Sequence, residues 1–189
     1  MKILVACEFS GAVRDEFIRL GHDAMSCDIL PTEKPGPHYQ GNLLDILGDG
    51  WDMIIAHPPC TYLANSGVRW LHTDPKRWSL LDEACELFKA ILNSGIPRIC
   101  IENPIPHKYA VERIGEKYTQ IIHPWQHGHG ESKATCLWLK GLDPLTPSNV
   151  VEGREQRVWK LPPSKDRWKE RSRTYQGIAT AMAKQWGGE

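Results

Sequence analysis

Apolar positions along this chain follow two rhythms. Ile3 to Cys7, Asp52 to Ala56 and Arg98 to Glu102 carry short unbroken apolar runs rich in isoleucine and valine, each halted by polar residues or proline. Runs of that kind predict strands covered on both faces, as inside a parallel sheet. His22 to Asp28 reads as a further strand of the same set. Helical spacing takes over at Val13, Phe17 and Leu20, with Gly21 as the stop, and again at Leu80, Leu81, Ala84, Leu87, Phe88, Ile91 and Leu92 after Pro75, ending near Asn93-Ser94-Gly95. Tyr118 to His123 and Thr135 to Leu139 predict two strands forming an antiparallel edge. Ile178 to Trp186 predicts a helix of small residues that packs closely on the sheet. Pro31 to Gly41 and Thr61 to Asp74 read as loops, the second a flap, and Leu142 to Pro163 as irregular.

The strand ends carry the chemistry. Pro58 and Pro59 lack a ladder donor and fix their own φ, so the chain leaves the sheet there and Cys60 is predicted just past a strand's carboxyl end. Open α/β sheets keep their ligands at that edge. The run ending at Glu102 breaks in the same way at Asn103-Pro104, which brings a carboxylate to the edge beside Cys60. Glu8-Phe9-Ser10-Gly11 lies between the first strand and a helix; glycine lets the backbone approach a ligand, and the helix N-terminus favours a carboxylate or phosphate. Asp28, at the end of the second strand, is placed to hold ribose hydroxyls or to cap a turn. Asp45 is a third ligand-facing acid or the cap of a short helix.

Composition narrows the classes. A chain of 189 residues, 41% hydrophobic and 24% charged, has room for one sizeable core and no second full domain. Its formal net charge of zero gives no whole-protein field toward nucleic acid or membrane. The exception is local: between Gly153 and Arg173 eight basic residues face three acids, with Trp159 and Trp168 among them. That patch suits phosphate contact and base stacking, or a solvated surface anchored by aromatics. The six cysteines form no CxxC pair and predict reduced, mostly core thiols in a cytosol. With no signal-peptide pattern and no apolar span, the expectation is a soluble, cytoplasmic protein with no membrane partner. His123, His127, His129 and Cys136 fit no common structural zinc spacing, so no metal is expected.

Four of these stretches, in this order, resemble the cytosine-5 DNA methyltransferase family. Phe9-Ser10-Gly11 is similar to its first cofactor motif, Pro58-Pro59-Cys60 to its nucleophile motif and Glu102-Asn103 to its Glu-Asn motif. Tyr175-Gln176-Gly177-Ile178-Ala179 is similar to its last motif, which completes the cofactor pocket. The resemblance implies a three-layer Rossmann-like α/β methyltransferase fold over residues 1–189, mostly parallel with an antiparallel edge, in which residues 140–173 form a short basic insert. It implies S-adenosylmethionine as cofactor, held by Phe9, Ser10, Gly11, Asp28, Asp45, Pro58 and Gln176, and DNA as partner.

The implied reaction needs an activated ring. Carbon 5 of cytosine is a poor nucleophile until a thiolate adds to carbon 6. Cys60 would be that nucleophile, Glu102 would contact the ring nitrogen and exocyclic amine, and Lys133 would complete the catalytic set. His57, Lys133 or a helix N-terminus would favour the thiolate. Pro59, Asn103, Thr135, Arg171 and Arg173 are expected on the substrate.

Two departures from the family's pattern shape the expectation. Glu131-Ser132-Lys133-Ala134-Thr135 stands where the family has Gln-x-Arg-x-Arg, so one basic residue remains as Lys133 and Thr135 takes the second arginine's place. Only Lys140 to Arg171 is available for target recognition, which suits a small, phage-like enzyme with a short site, or one with a separate recognition partner. The competing readings are a cytosine methylase acting on free nucleotide or RNA, and a non-catalytic nucleic-acid- or partner-binding protein on the same scaffold.

Overall fold

The computed structural model describes residues 1–188. Seven strands form one sheet in the order β3-β2-β1-β4-β5-β7-β6, made of β1 (Lys2–Ala6), β2 (Asp23–Asp28), β3 (His38–Gln40), β4 (Met53–Ala56), β5 (Arg98–Pro104), β6 (Gln120–Ile122) and β7 (Thr135–Lys140). β1 to β5 run parallel, and β7 is antiparallel to both β5 and β6. This is the expected three-layer Rossmann-like architecture with an antiparallel edge.

The apolar runs are unbroken because both faces of the sheet are covered. Ile3, Val5, Met53 and Ile55 face α1 (Ala12–Arg19) and α6 (Gln176–Gly187), meeting Phe17, Ile178, Met182 and Trp186. Leu4, Ile54 and Ile99 face the opposite layer, where α2 (Lys76–Leu92) and α3 (Lys108–Ile114) supply Leu81, Phe88, Ile91 and Ala110. Burial of these side chains, at roughly 25 cal/mol per Å² of apolar surface, is the main force holding the layers together.

Several elements depart from the sequence expectations. β3 lies within the stretch read as the Pro31–Gly41 loop; it is three residues long on the sheet's edge, too short to show a period. α3 follows the Glu102 strand unannounced, capped by His107, whose Nδ1 accepts from the Ala110 N–H at 3.1 Å, and ended by Gly115 at φ 78°. The flap holds a 3-10 helix, Asn65–Leu71; the irregular region holds a short helix, α4 (Arg157–Lys160), and a second, α5 (Arg167–Ser172), follows it in the basic stretch.

Two glycines fix the frame of the ligand edge. Gly11 takes φ +69°, and a Cβ there would lie 2.5 Å from the Arg14 guanidinium. Arg14 is fully buried and donates to Asp15, Ser26 and the carbonyls of Lys34 and Pro35, so it holds the loop that follows β2. Gly177 opens α6 against the backbone of His127, where a side chain would overlap the carbonyl. No helix among the described residues is long and apolar enough to cross a membrane.

Candidate active site

The carboxyl ends of β4 and β5 bring the thiol and the carboxylate together. The strands are parallel neighbours with Ala56 level with Ile101, so the next residue of each, His57 and Glu102, stand side by side. His57 Nδ1 donates to Glu102 Oε2 at 2.7 Å, and the two side chains are 10% and 12% exposed. Beyond His57, Pro58 is buried and Cys60 is exposed. The turn is fixed from both sides. Asn103 Nδ2 donates to the Pro58 carbonyl at 3.0 Å, and the Leu63 and Ala64 amides donate to the Cys60 carbonyl.

Electrostatics couple these groups. Burial works against a charged His57, but the hydrogen bond and charge of Glu102 outweigh it and raise the imidazole's pKa. Burial pushes the Glu102 carboxyl up, and His57 with Lys133 brings it below its ordinary value. Both shifts act in the direction of an imidazolium on a carboxylate. The Cys60 thiol is pushed up by desolvation and by Glu102, against Lys133 and Arg171, which favour the thiolate. Lys133 Nζ donates to the Arg171 carbonyl at 3.0 Å, so the insert supplies part of the positive side of the site.

Beside Cys60 lies a cavity of about 510 Å³, within the range of small-molecule sites. Phe9, Asp28, Asn42 and Leu43 line it from the β1 and β2 side, His57, Pro59 and Cys60 from the β4 side. Trp168 of α5 closes it, its ring centroid 6.0 Å from that of Phe9, and Ser172 lies on the same wall. Asp28 Oδ1 accepts from the Leu30 amide at 2.9 Å, and desolvation raises its carboxyl pKa.

Several residues expected on the cofactor do not line this cavity. Asp45 belongs to a 3-10 helix and accepts from the Tyr39 hydroxyl at 3.1 Å, so Asn42 and Leu43 take the cavity wall in its place. Ser10 and Gly11 serve the α1 turn. The α1 N-terminus already holds an anion, the buried Glu8 carboxylate, which accepts from the Val13 amide at 2.7 Å and the Arg14 amide at 3.3 Å. Pro58 sits behind the cavity as the acceptor of Asn103, and Gln176 donates to Glu16 on α1.

Among the expected substrate residues, Asn103 is 1% exposed, so its place is in the turn's support. Thr135 is buried opposite Pro104 at the start of β7. Arg173 is committed to Glu33, at 2.5 and 2.9 Å, and to Glu170. Pro59 and Arg171 are exposed. Sequence reasoning did not foresee Trp168 and Ser172 on the cavity wall or the His57–Glu102 bond. The second was accessible from strand register; for the first the sequence offered only an aromatic within a basic stretch. Among the described residues no three metal-ligating side chains gather.

No protein-family model matches the chain, and no curated protein matches its sequence. Among solved structures, the chain is similar to an E. coli prophage-encoded protein assigned as a DNA modification methyltransferase, with 14% identity over 85% of this chain and 55% of that one, at a TM-score of 0.49. It is also similar to the Entamoeba histolytica methyltransferase EhMeth, with 15% identity over 86% of this chain and 60% of that one, at a TM-score of 0.46. The chain thus spans little more than half the length of either.

Proposed function

We propose that this chain transfers a methyl group from S-adenosylmethionine to carbon 5 of cytosine in DNA, through a covalent adduct on Cys60. The observation that carries the reading is that the ends of adjacent strands bring Glu102 within electrostatic reach of Cys60, which itself lines a cavity.

The cavity's residues fit the cofactor. Phe9 and Trp168 give it aromatic walls, and Asp28 offers a carboxylate to ribose hydroxyls beside Asn42 and Leu43. S-adenosylmethionine supplies an electrophilic methyl group on a sulfonium. The chain's own residues do the rest. Lys133 and Arg171 favour the Cys60 thiolate, which adds to carbon 6 and makes carbon 5 nucleophilic. Glu102 contacts the ring nitrogen and amine and stabilises the electron-accepting form. A base within a duplex must first be flipped out, at a cost of a few kcal/mol.

A second reading, cytosine in RNA or a free nucleotide, draws on the insert. Arg157, Lys169 and Arg173 pair with acids of this chain, which lowers the positive charge left for a duplex backbone.

DNA in which 5-fluorocytosine replaces cytosine tests the adduct. Carbon 5 then has no proton to lose, so the enzyme stalls on carbon 6. The expected result is a cofactor-dependent mass increase on the peptide containing Cys60, absent in Cys60→Ser. A protein that methylates ordinary DNA yet forms no such adduct contradicts the covalent mechanism.

A further inference from the structure

Two histidines flank the Cys60 turn, and their hydrogen bonding separates them. His107 is 2% exposed with both ring nitrogens engaged, Nε2 donating to the Tyr62 carbonyl at 2.7 Å and Nδ1 accepting from Ala110. It stitches the turn to α3. His57 is engaged on one side only. Its Nδ1 is on Glu102, while Nε2 is buried without a protein partner, in a residue that lines the cavity. Leaving a buried polar atom unpartnered costs about 1–3 kcal/mol, so fold stability alone does not account for this histidine.

We propose that His57 is the positioning residue of Glu102 and the source of the proton that Glu102 delivers to the substrate ring. The proposal rests on the methyl-transfer reading and adds a residue to it. Because the Nδ1–H occupies Oε2, the carboxylate's orientation is fixed and Oε1 remains for the base. The pair also holds one proton between two heavy atoms 2.7 Å apart.

The step balances as follows. Cys60 Sγ gives its electron pair to carbon 6, the carbon 5–carbon 6 π pair becomes the second bond between carbons 4 and 5, and the carbon 4–nitrogen 3 π pair moves onto nitrogen 3. The Nδ1 proton of His57 passes to Oε2, and the carboxyl group, released from the ion pair, turns to give that proton to nitrogen 3. The ring becomes a neutral enamine, the carboxylate is restored and the imidazolium becomes a neutral imidazole. After carbon 5 has taken the methyl group, its proton leaves to water and the sulfur departs with its bonding pair. The proton on nitrogen 3 then returns through Glu102 to His57.

The charged surroundings agree. Glu102 from β5 and Glu8 from the turn after β1 favour the imidazolium, and Lys133 from the segment before β7 opposes it. Lys133 also favours the ionised Glu102, and Cys60 and Arg171 complete the charged set around the turn. In the absence of His57, burial dominates Glu102 and its proton must come from solution.

The test has two arms. First, NMR follows the His57 ring nitrogens against pH in the full chain without substrate. The ring is expected to titrate above the ordinary 6.5 and to move down in Glu102→Gln. The same midpoint in both proteins overturns the proposal. Second, kcat is followed against pH for His57→Gln. The expected result is a loss of about 10- to 100-fold at neutral pH, as for residues that orient a site's ligands. The alkaline limb should move toward acid, into the carboxylate's own range. A uniform loss with an unshifted profile assigns His57 a structural role and overturns the proposal. If His57→Gln does not fold, the first arm decides. A wild-type protein that modifies no base defeats the methyl-transfer reading, whereas an unmoved His57 titration defeats this one.

Discussion

Asn103 Nδ2 donates to the carbonyl oxygen of Pro58 at 3.0 Å, tying the end of β5 to the first proline of the turn that presents Cys60. The bond is buried, and it makes the Glu-Asn dipeptide a single device: Glu102 faces His57 while Asn103 holds the Cys60 turn. Replacing Asn103 by Ala removes the turn's fastening to β5. The expected result is a stability loss of about 1–3 kcal/mol in urea denaturation. A larger proportional loss is expected in kcat than in cofactor affinity, because the cavity wall from Phe9 to Leu43 is untouched. Equal losses in both would move Asn103 out of this role.

Cys60 should ionise late. Desolvation and Glu102 push its thiol above the ordinary 9.0, and Lys133 and Arg171 act against them. Iodoacetamide labelling against pH, read on the Cys60 peptide, should therefore rise with a midpoint above 9.0. Removing the negative charge in Glu102→Gln should move that midpoint down, and removing the positive charge in Lys133→Ala should move it up. Opposite signs would contradict the placement of both charges.

Asp28 should matter to the cofactor and not to the adduct. Charge-assisted hydrogen bonds are worth about 1.5–3 kcal/mol, so Asp28→Ala is expected to weaken S-adenosylmethionine binding by roughly 10- to 100-fold in calorimetry. Asp28→Asn keeps an acceptor for the Leu30 amide and should lose less. Cys60→Ser should bind as the wild type does. An unaffected Asp28→Ala would place the ribose elsewhere.

Glu131 anchors the insert. It accepts from the Tyr175 hydroxyl at 2.6 Å and from Arg157 Nε at 2.9 Å, joining the segment before β7 to α4 and to the start of α6. Burial pushes its carboxyl up, but these two hydrogen bonds and the Arg157 charge bring it below the ordinary 4.5. A lowered folded pKa means that the stabilisation is complete above 4.5 and is lost as pH falls through the folded value. Glu131→Gln should therefore cost about 1–2 kcal/mol at neutral pH, and the gap to the wild type should close in acid. A gap independent of pH would rule out the ionised carboxylate as its source.

Much of the site was legible because its residues stand where backbone rules act. Pro58-Pro59 and Asn103-Pro104 end strands by removing ladder donors, which placed Cys60 and Glu102 at one edge without knowledge of any contact. β3 and α3 were not legible, since three edge residues and a seven-residue helix capped by a histidine carry no readable period. The partners of Asp45 and Arg173 were not legible, because residue type and position do not reveal that Tyr39 or Glu33 will engage a charged group. Trp168 reaches the cavity through tertiary folding of the insert, which no local pattern encodes.

The most direct test is nucleoside mass spectrometry on total DNA from cells expressing the protein, beside cells expressing Cys60→Ser. New 5-methylcytosine in the first and none in the second is the predicted result. DNA without 5-methylcytosine, or with equal amounts in both, would contradict the assignment of Cys60 as the nucleophile of a DNA cytosine methylase.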